Sequence, residues 1–281
     1  MRLLVIATNQ EKFPYAVVPA GACRIANFLS KNRHEVKFID LMFCKNIKNK
    51  VEKILNKVKP EAILISIRNI DNGVLISPNF YLKTIKYLIS LIRETSVRKI
   101  TDIKVIIGGT GFSAEPREIF EYLKPDFGIT GEGEQSVLKL LDKHPDFNNI
   151  SEIPGLVFRK NGTLVHNPPG FTDIFAADQA EALSFVNEKK YLSNGSFPGI
   201  QTRSGCPRNC IYCDGFKMSG KRYRCIDPKT VIRELSTIKI KWKTEKFIFV
   251  DEVFSEPLDY AKELLKEIIQ SRIKIRFEIC D

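Results

Sequence analysis

Three cysteines in one short stretch are the residues best suited to chemistry. The segment reads Thr202-Arg203-Ser204-Gly205-Cys206-Pro207-Arg208-Asn209-Cys210-Ile211-Tyr212-Cys213-Asp214. The spacing C-x3-C-x2-C sets three thiolates on a tight loop, where they can ligate three irons of a [4Fe–4S] cubane. The fourth iron then lacks a protein ligand and is open to a substrate or cofactor. A closed structural zinc site needs four ligands instead. None of the chain's three histidines, His34, His144 and His166, lies near the loop in sequence. Cys225, twelve residues past Cys213, is the candidate fourth ligand of a zinc knuckle.

A second chemical feature follows downstream. The run Phe247-Ile248-Phe249-Val250-Asp251-Glu252 reads as a buried strand that ends in two acids. Functional groups collect at the carboxyl ends of β/α-barrel strands, although such acids can also be caps or loop residues. The cysteine loop, with aromatic Tyr212 just before its last cysteine and a strand just upstream, resembles the radical S-adenosylmethionine (SAM) superfamily. The resemblance implies that Cys206, Cys210 and Cys213 hold the cluster, whose open iron chelates SAM and reduces it to a 5′-deoxyadenosyl radical. It implies that Tyr212 packs near the adenine and that Asp251 and Glu252 help to hold the SAM amino group.

The elements that must position these residues are legible as alternation. Short apolar runs at 2–7, 35–40, 61–67, 103–107 and 126–129 read as strands. Amphipathic stretches at 20–33, 47–58, 80–94, 115–123 and 133–142 read as helices, as with Ala22, Ile25, Ala26 and Leu29 on one face. Strand–helix alternation with apolar strands implies a parallel sheet covered on both faces, doubly wound and Rossmann-like. Prolines and glycines then punctuate 145–200, where 154–166 reads as a hairpin turning at Asn161-Gly162. Alternation resumes with strand 198–203, helix 228–240, strand 246–251, helix 257–271 and strand 273–279, the chain ending at Cys280 and Asp281. The expected domains are 1–145, a linker with the hairpin at 146–197, and 198–281.

In the first domain the polar and glycine-rich residues fall just after strands. They are Thr8 and Asn9; Ser66, Arg68 and Asn69; Gly108, Gly109 and Gly111; and Gly131, Glu132, Gly133 and Glu134. Ligands of open α/β sheets bind beyond the carboxyl ends of strands, and glycines there let the backbone approach a large flat group. Each piece alone could be a tight turn or a helix start. In this order, ahead of that cysteine loop, they resemble the cobalamin-binding radical SAM proteins. The resemblance implies an α/β chain: a Rossmann-like, cobalamin-binding-type doubly wound sheet, a linker, and the front part of a radical SAM partial TIM barrel. One departure is the absence of the D-x-H-x-x-G motif whose histidine ligates cobalt in many corrinoid domains. His34 reads as a loop residue, so cobalt would have no histidine below it.

Composition narrows the rest. The 281 residues are 43% hydrophobic and 27% charged, enough for two cores. No run approaches the roughly 20 apolar residues of a membrane span, and MRLLVIATNQ lacks a cleavage-site pattern. Seven cysteines, three of them clustered, suit a reducing, cytoplasmic setting and a metal site rather than a disulfide framework. The net charge of +11 is spread over helix faces, so nucleic-acid binding ranks last. The stretch after Cys206 holds about three strands, whereas a full barrel takes about 250 residues. The expectation is a truncated product or one part of a split enzyme, with a partner chain carrying the missing barrel. The leading expectation is a cobalamin-dependent radical SAM enzyme, with methyl transfer to an unactivated carbon as the modal reaction. Its partners would be a small-molecule or peptide substrate and a reductant such as flavodoxin or ferredoxin. The alternative is a corrinoid and iron–sulfur carrier without independent turnover.

Overall fold

The computed structural model describes residues 1–99, 102–172 and 178–279; Cys280 and Asp281 lie outside the described residues. The chain divides into two compact units, 1–12 with 25–170 and 13–24 with 171–281.

The first unit alternates β1 (Arg2–Ala7), α1 (Ala20–Lys31, whose residues 20–24 are grouped with the second unit), β2 (Glu35–Asp40), α2 (Ile47–Val58), β3 (Ala62–Ser66), α3 (Leu82–Lys99) and β4 (Lys104–Gly108). It continues through α4 (Thr110–Ala114), α5 (Pro116–Leu123), β5 (Phe127–Ile129), α6 (Glu134–Leu141), β6 (Leu156–Lys160) and β7 (Thr163–His166). The sheet order is β2-β1-β3-β4-β5-β6-β7. Pairing is parallel as far as β5 and antiparallel from β5 through β7. Strands β1, β3 and β4 are buried on nearly every residue because helices cover both faces. Leu4, Ile6, Ile63, Ile65, Val105 and Ile107 form one core with Val51 and Leu55 of α2, Leu88 and Ile92 of α3, and Ile119 and Phe120 of α5. The strand order reverses direction at β1, with β2 on one side and β3 on the other, which opens a crevice at the β1/β3 carboxyl ends.

The hairpin forms as read, with Asn161 and Gly162 both at positive φ, as a two-residue hairpin turn requires. It differs from the expectation in its place. Its strands β6 and β7 extend the first sheet instead of lying in a linker, so the first unit runs to Gly170.

The second unit holds α7 (Gln179–Ala182), α8 (Glu188–Leu192), β8 (Gly199–Ile200), β9 (Arg203–Ser204), α9 (Gly215–Ser219) and β10 (Arg224–Cys225). Then follow α10 (Pro228–Trp242), β11 (Lys246–Phe249), α11 (Leu258–Gln270) and β12 (Arg276–Ile279). Strands β8, β11 and β12 form a parallel sheet, and β9 pairs antiparallel with β10. Sequence periodicity reads 198–203 as one strand, but the structure breaks it into β8 and β9. The cause is Thr202, whose backbone N–H leaves the ladder and donates to the Asp251 carboxylate at 2.6 Å. No helix among the described residues is long and apolar enough to cross a membrane.

Candidate functional site

In the first unit the residues singled out by sequence all fall at or beyond the carboxyl ends of β1, β3, β4 and β5, Ser66 and Gly108 being the last residues of β3 and β4, and main-chain and hydroxyl bonds stitch their loops together. Thr8 donates from Oγ1 to the Ser66 carbonyl at 2.8 Å, joining the ends of β1 and β3. Ile67 N–H donates to the Gly108 carbonyl at 2.7 Å, joining β3 and β4. Thr110 Oγ1 and Gly111 N–H return the link to the Arg68 and Ile67 carbonyls, at 2.9 and 3.0 Å. Gly109 has φ 102°, and a Cβ there would stand 2.5 Å from the Ile67 carbonyl oxygen. Only glycine permits so close an approach. Gly131 N–H donates to Ser113 Oγ at 3.1 Å, joining the β5 and β4 ends. Gly133 caps α6, and Glu134 opens it, an acid in the first turn where the helix dipole favours one. Glu132 lies between them, and Arg68 is exposed beside Asn69. Asn9 accepts from Glu11 N–H through Oδ1, while its Nδ2 is buried and unpartnered.

That orphaned amide is the feature of this edge that points to a ligand, whereas the Gly109 approach packs the backbone of one loop on that of another. The amide-rimmed edge of a corrinoid fits that free buried donor; the Ser66, Ile67, Arg68 and Gly108 carbonyls already accept bonds within the edge. Thr130 is a further part of this edge that sequence reasoning left out of the site. Thr130 donates to the Gly155 carbonyl at 3.2 Å and meets His166 Nε2 at 3.1 Å. Burial, aided by the charge of Arg117, holds His166 below the usual imidazole range. The signal for Thr130 was its position, one residue past a buried strand.

In the second unit the cysteine loop leaves β9 through Gly205, at φ 91°, where a Cβ would meet the Arg222 carbonyl at 2.1 Å. Cys206 N–H then donates to the Gly220 carbonyl at 2.9 Å, which closes the loop onto the end of α9. Cys213 N–H donates to the Cys210 carbonyl at 3.2 Å. Gly215 N–H donates to Cys213 Sγ at 3.3 Å, a bond that stabilises a thiolate and tunes iron–sulfur sites. Cys206, Cys210 and Cys213 are all free thiols. They share one loop but are not drawn into a closed cage: no group of three or more His, Cys, Asp or Glu is gathered as a metal site among the described residues. Ile211 and Tyr212 stand almost fully exposed at the loop's crest. Cys225 lies off the loop, on β10 opposite Arg203, and burial pushes its thiol up.

The two acids after β11 go separate ways. Asp251 is buried and spends both oxygens inside the fold. Oδ1 accepts from the N–H groups of Thr202 and Arg203 at 2.6 and 3.0 Å, and Oδ2 from Thr202 Oγ1 at 2.6 Å. Arg203 Nε sits 3.5 Å from Oδ2 with both side chains wholly buried. Burial pushes the Asp251 carboxyl up, and the bonds from Thr202 and Arg203 partly offset this. Its role in the structure is to tie the carboxyl end of β8 to that of β11. Glu252 instead lies beside the loop. A Cβ on Gly215 would be 3.3 Å from Cys213 Sγ and 4.0 Å from Glu252 Cγ. Glu252 Oε2 is buried without a partner. A free buried carboxylate oxygen next to a cluster-type cysteine fits a cationic group. The three thiols of one loop and the N–H···S bond supply the donor chemistry of a three-thiolate cluster.

Residues 8–141 match the B12 binding domain family. An uncharacterized methyltransferase of Pyrococcus horikoshii is 25% identical over 98% of this chain and 58% of its own length. The hopanoid C-3 methylase of Methylococcus capsulatus is 24% identical over 92% of this chain and 47% of its own. The chain therefore spans about half the length of these curated relatives. The structure superimposes with a TM-score of 0.83 on the radical SAM methyltransferase TsrM from Kitasatospora setae, solved with cobalamin and a [4Fe-4S] cluster bound. That match covers 98% of this chain and 53% of TsrM at 21% identity. The doubly wound sheet followed by a parallel β/α sheet is thus the fold expected from sequence.

Proposed function

We infer that this chain is a cobalamin-dependent radical SAM protein that serves methyl transfer to an unactivated carbon. The observation that carries the reading is a conjunction. A B12-binding domain over 8–141 and a C-x3-C-x2-C loop beside a parallel β/α sheet occur in one chain. When bound, the cluster and the corrinoid supply electron delivery to SAM and methyl carriage, which no side chain provides.

The chain's own residues bind and orient. Cys206, Cys210 and Cys213 serve as the cluster's thiolates, with the Gly215 N–H stabilising the third. Glu252, through its unpartnered oxygen, is suited to the SAM ammonium. Tyr212 offers an exposed ring face for the adenine. Thr8, Asn9, Ser66, Arg68, Asn69, Gly108, Gly109, Gly111, Gly131, Glu132, Gly133 and Glu134 form the corrinoid edge, with no histidine among them. A low-potential donor such as flavodoxin or ferredoxin would supply the electron.

The test is anaerobic reconstitution of the 281-residue chain with dithionite, SAM and hydroxocobalamin. The expected result is about four iron and four sulfide per chain, corrinoid binding without a histidine-ligated spectrum, and release of 5′-deoxyadenosine. Bound zinc with little iron would sink the reading. A second reading, a cofactor carrier that turns over only with a partner chain, is in keeping with a match to only about half of each relative's length. It predicts a full cluster and no 5′-deoxyadenosine until the partner is added.

A further inference from the structure

We propose that Glu256 is the positioning residue of the cysteine loop, a role that rests on the reading of Cys206, Cys210 and Cys213 as cluster ligands. Arg208 stands in the arch between Cys206 and Cys210. Its guanidinium grips Glu256 with two nitrogens: Nε donates to Oε2 at 3.2 Å, and Nη2 donates to Oε1. Tyr223, next to β10, donates its hydroxyl to the same Oε2 at 2.6 Å. The main chain of Glu256 is held as well, since its carbonyl accepts from Arg203 Nη1 at 2.6 Å. Arg203 is wholly buried against Asp251 and lies over the rings of Phe254 and Tyr260.

A single carboxylate thus ties the first arch of the loop to β10 and, through its own backbone, to the buried Arg203–Asp251 pair. An isolated ion pair this exposed contributes little to stability; the side chains of Arg208 and Glu256 are 52% and 34% exposed. What distinguishes this one is geometry: a two-point Arg–carboxylate fork fixes direction as well as distance, and the acceptor is itself held from two other sides. The role is therefore orientation of Cys206 and Cys210 rather than stability. The pair also has an electrostatic consequence. Glu256 neutralises a cation only two residues from each of two ligands. An uncompensated Arg208 would favour the more negative, reduced cluster, and an uncompensated Glu256 would disfavour it.

The experiment uses the full chain as wild type, Glu256→Gln, Arg208→Gln and the charge-swapped double Arg208→Glu/Glu256→Arg. Each is reconstituted anaerobically with iron and sulfide, and its midpoint potential is followed by electron paramagnetic resonance. Both single variants are expected to assemble the cluster several-fold more slowly, and the swapped double is expected to recover most of that loss. The potential should rise in Glu256→Gln and fall in Arg208→Gln, a sign reversal that general loosening of the fold would not produce. Equal assembly rates in all four chains, no recovery in the double, or shifts of the same sign would overturn the proposal. A separate arm needs no cluster. In the metal-free chain, iodoacetamide labelling of Cys206 and Cys210, read peptide by peptide, should quicken in Glu256→Gln relative to wild type. An unchanged rate would overturn the proposal even if the wild type failed to load iron, an outcome that would count separately against the cluster reading.

Discussion

The two candidate sites of this chain are built from different material. The edge in the first unit is mostly backbone: carbonyls of Ile67, Arg68 and Gly108 and the N–H of Gly111 and Gly131, drawn from several loops. The site in the second unit is mostly side chains, three thiols within one loop and one carboxylate oxygen beside it. A backbone site depends on how closely chains can approach, so it is sensitive to added volume. A side-chain site depends on a few functional groups, so it is sensitive to their deletion. The same contrast recurs at smaller scale in Asp251 and Glu252, adjacent acids of which one is spent on the fold and the other left open.

The sharpest way to break the comparison is in the thiol loop. Cys210→Ala should eliminate the cluster, while Cys225→Ala should retain it, as read by iron and sulfide content. Equal loss in both would make Cys225 a ligand and collapse the open-iron argument. Next in size is the pair of acids. Asp251→Ala leaves Arg203 buried without its partner and should destabilise the fold by about 3–5 kcal/mol in denaturant unfolding. Glu252→Gln removes the charge of a buried, unpartnered oxygen, so it should leave stability unchanged or raise it yet weaken SAM binding. A stable Asp251→Ala chain would show that the buried pair does not hold β8 to β11. In the first unit, Gly109→Ala should cost about 1–3 kcal/mol, because it imposes a strained φ and a clash with the Ile67 carbonyl. Hydroxocobalamin binding should fall with it while iron loading stays unchanged. Loss of iron as well would mean that the two sites are not separable in this way.

The smallest effect concerns pH. His166 and His34 both titrate below the usual imidazole value, chiefly because burial disfavours the charged ring. A depressed folded pKa means stability that is complete above about 6.5, the unfolded value, and is lost as pH falls toward the folded values. The melting temperature should therefore decline below that point, and His166→Gln should flatten part of the decline. A slope identical in the variant would assign the effect elsewhere.

Much of this was legible locally. The cysteine spacing, the strand-end position of the glycines and the Asn161-Gly162 turn depend on neighbours within a few residues, so the chain records them directly. The periodicity of apolar residues likewise marked the main helices and strands within a few residues. The break of 198–203 into two short strands was not legible, because it depends on Asp251, far along the chain, capturing the Thr202 N–H. The place of the hairpin was hidden for the same reason, since strand partners are chosen by the sheet edge available.

The sequence by itself determined the donor set: which thiols, which acids and which glycines exist, and at what spacing. Tertiary structure decided what each one faces. Asp251 and Glu252 are indistinguishable in one dimension, yet one is enclosed by Thr202 and Arg203 while the other has an oxygen left over. Glu256 is an ordinary loop acid until folding brings Arg208, Tyr223 and Arg203 to it. The physical reason is that hydrogen bonds and charges act over a few ångströms in space, whatever the separation along the chain.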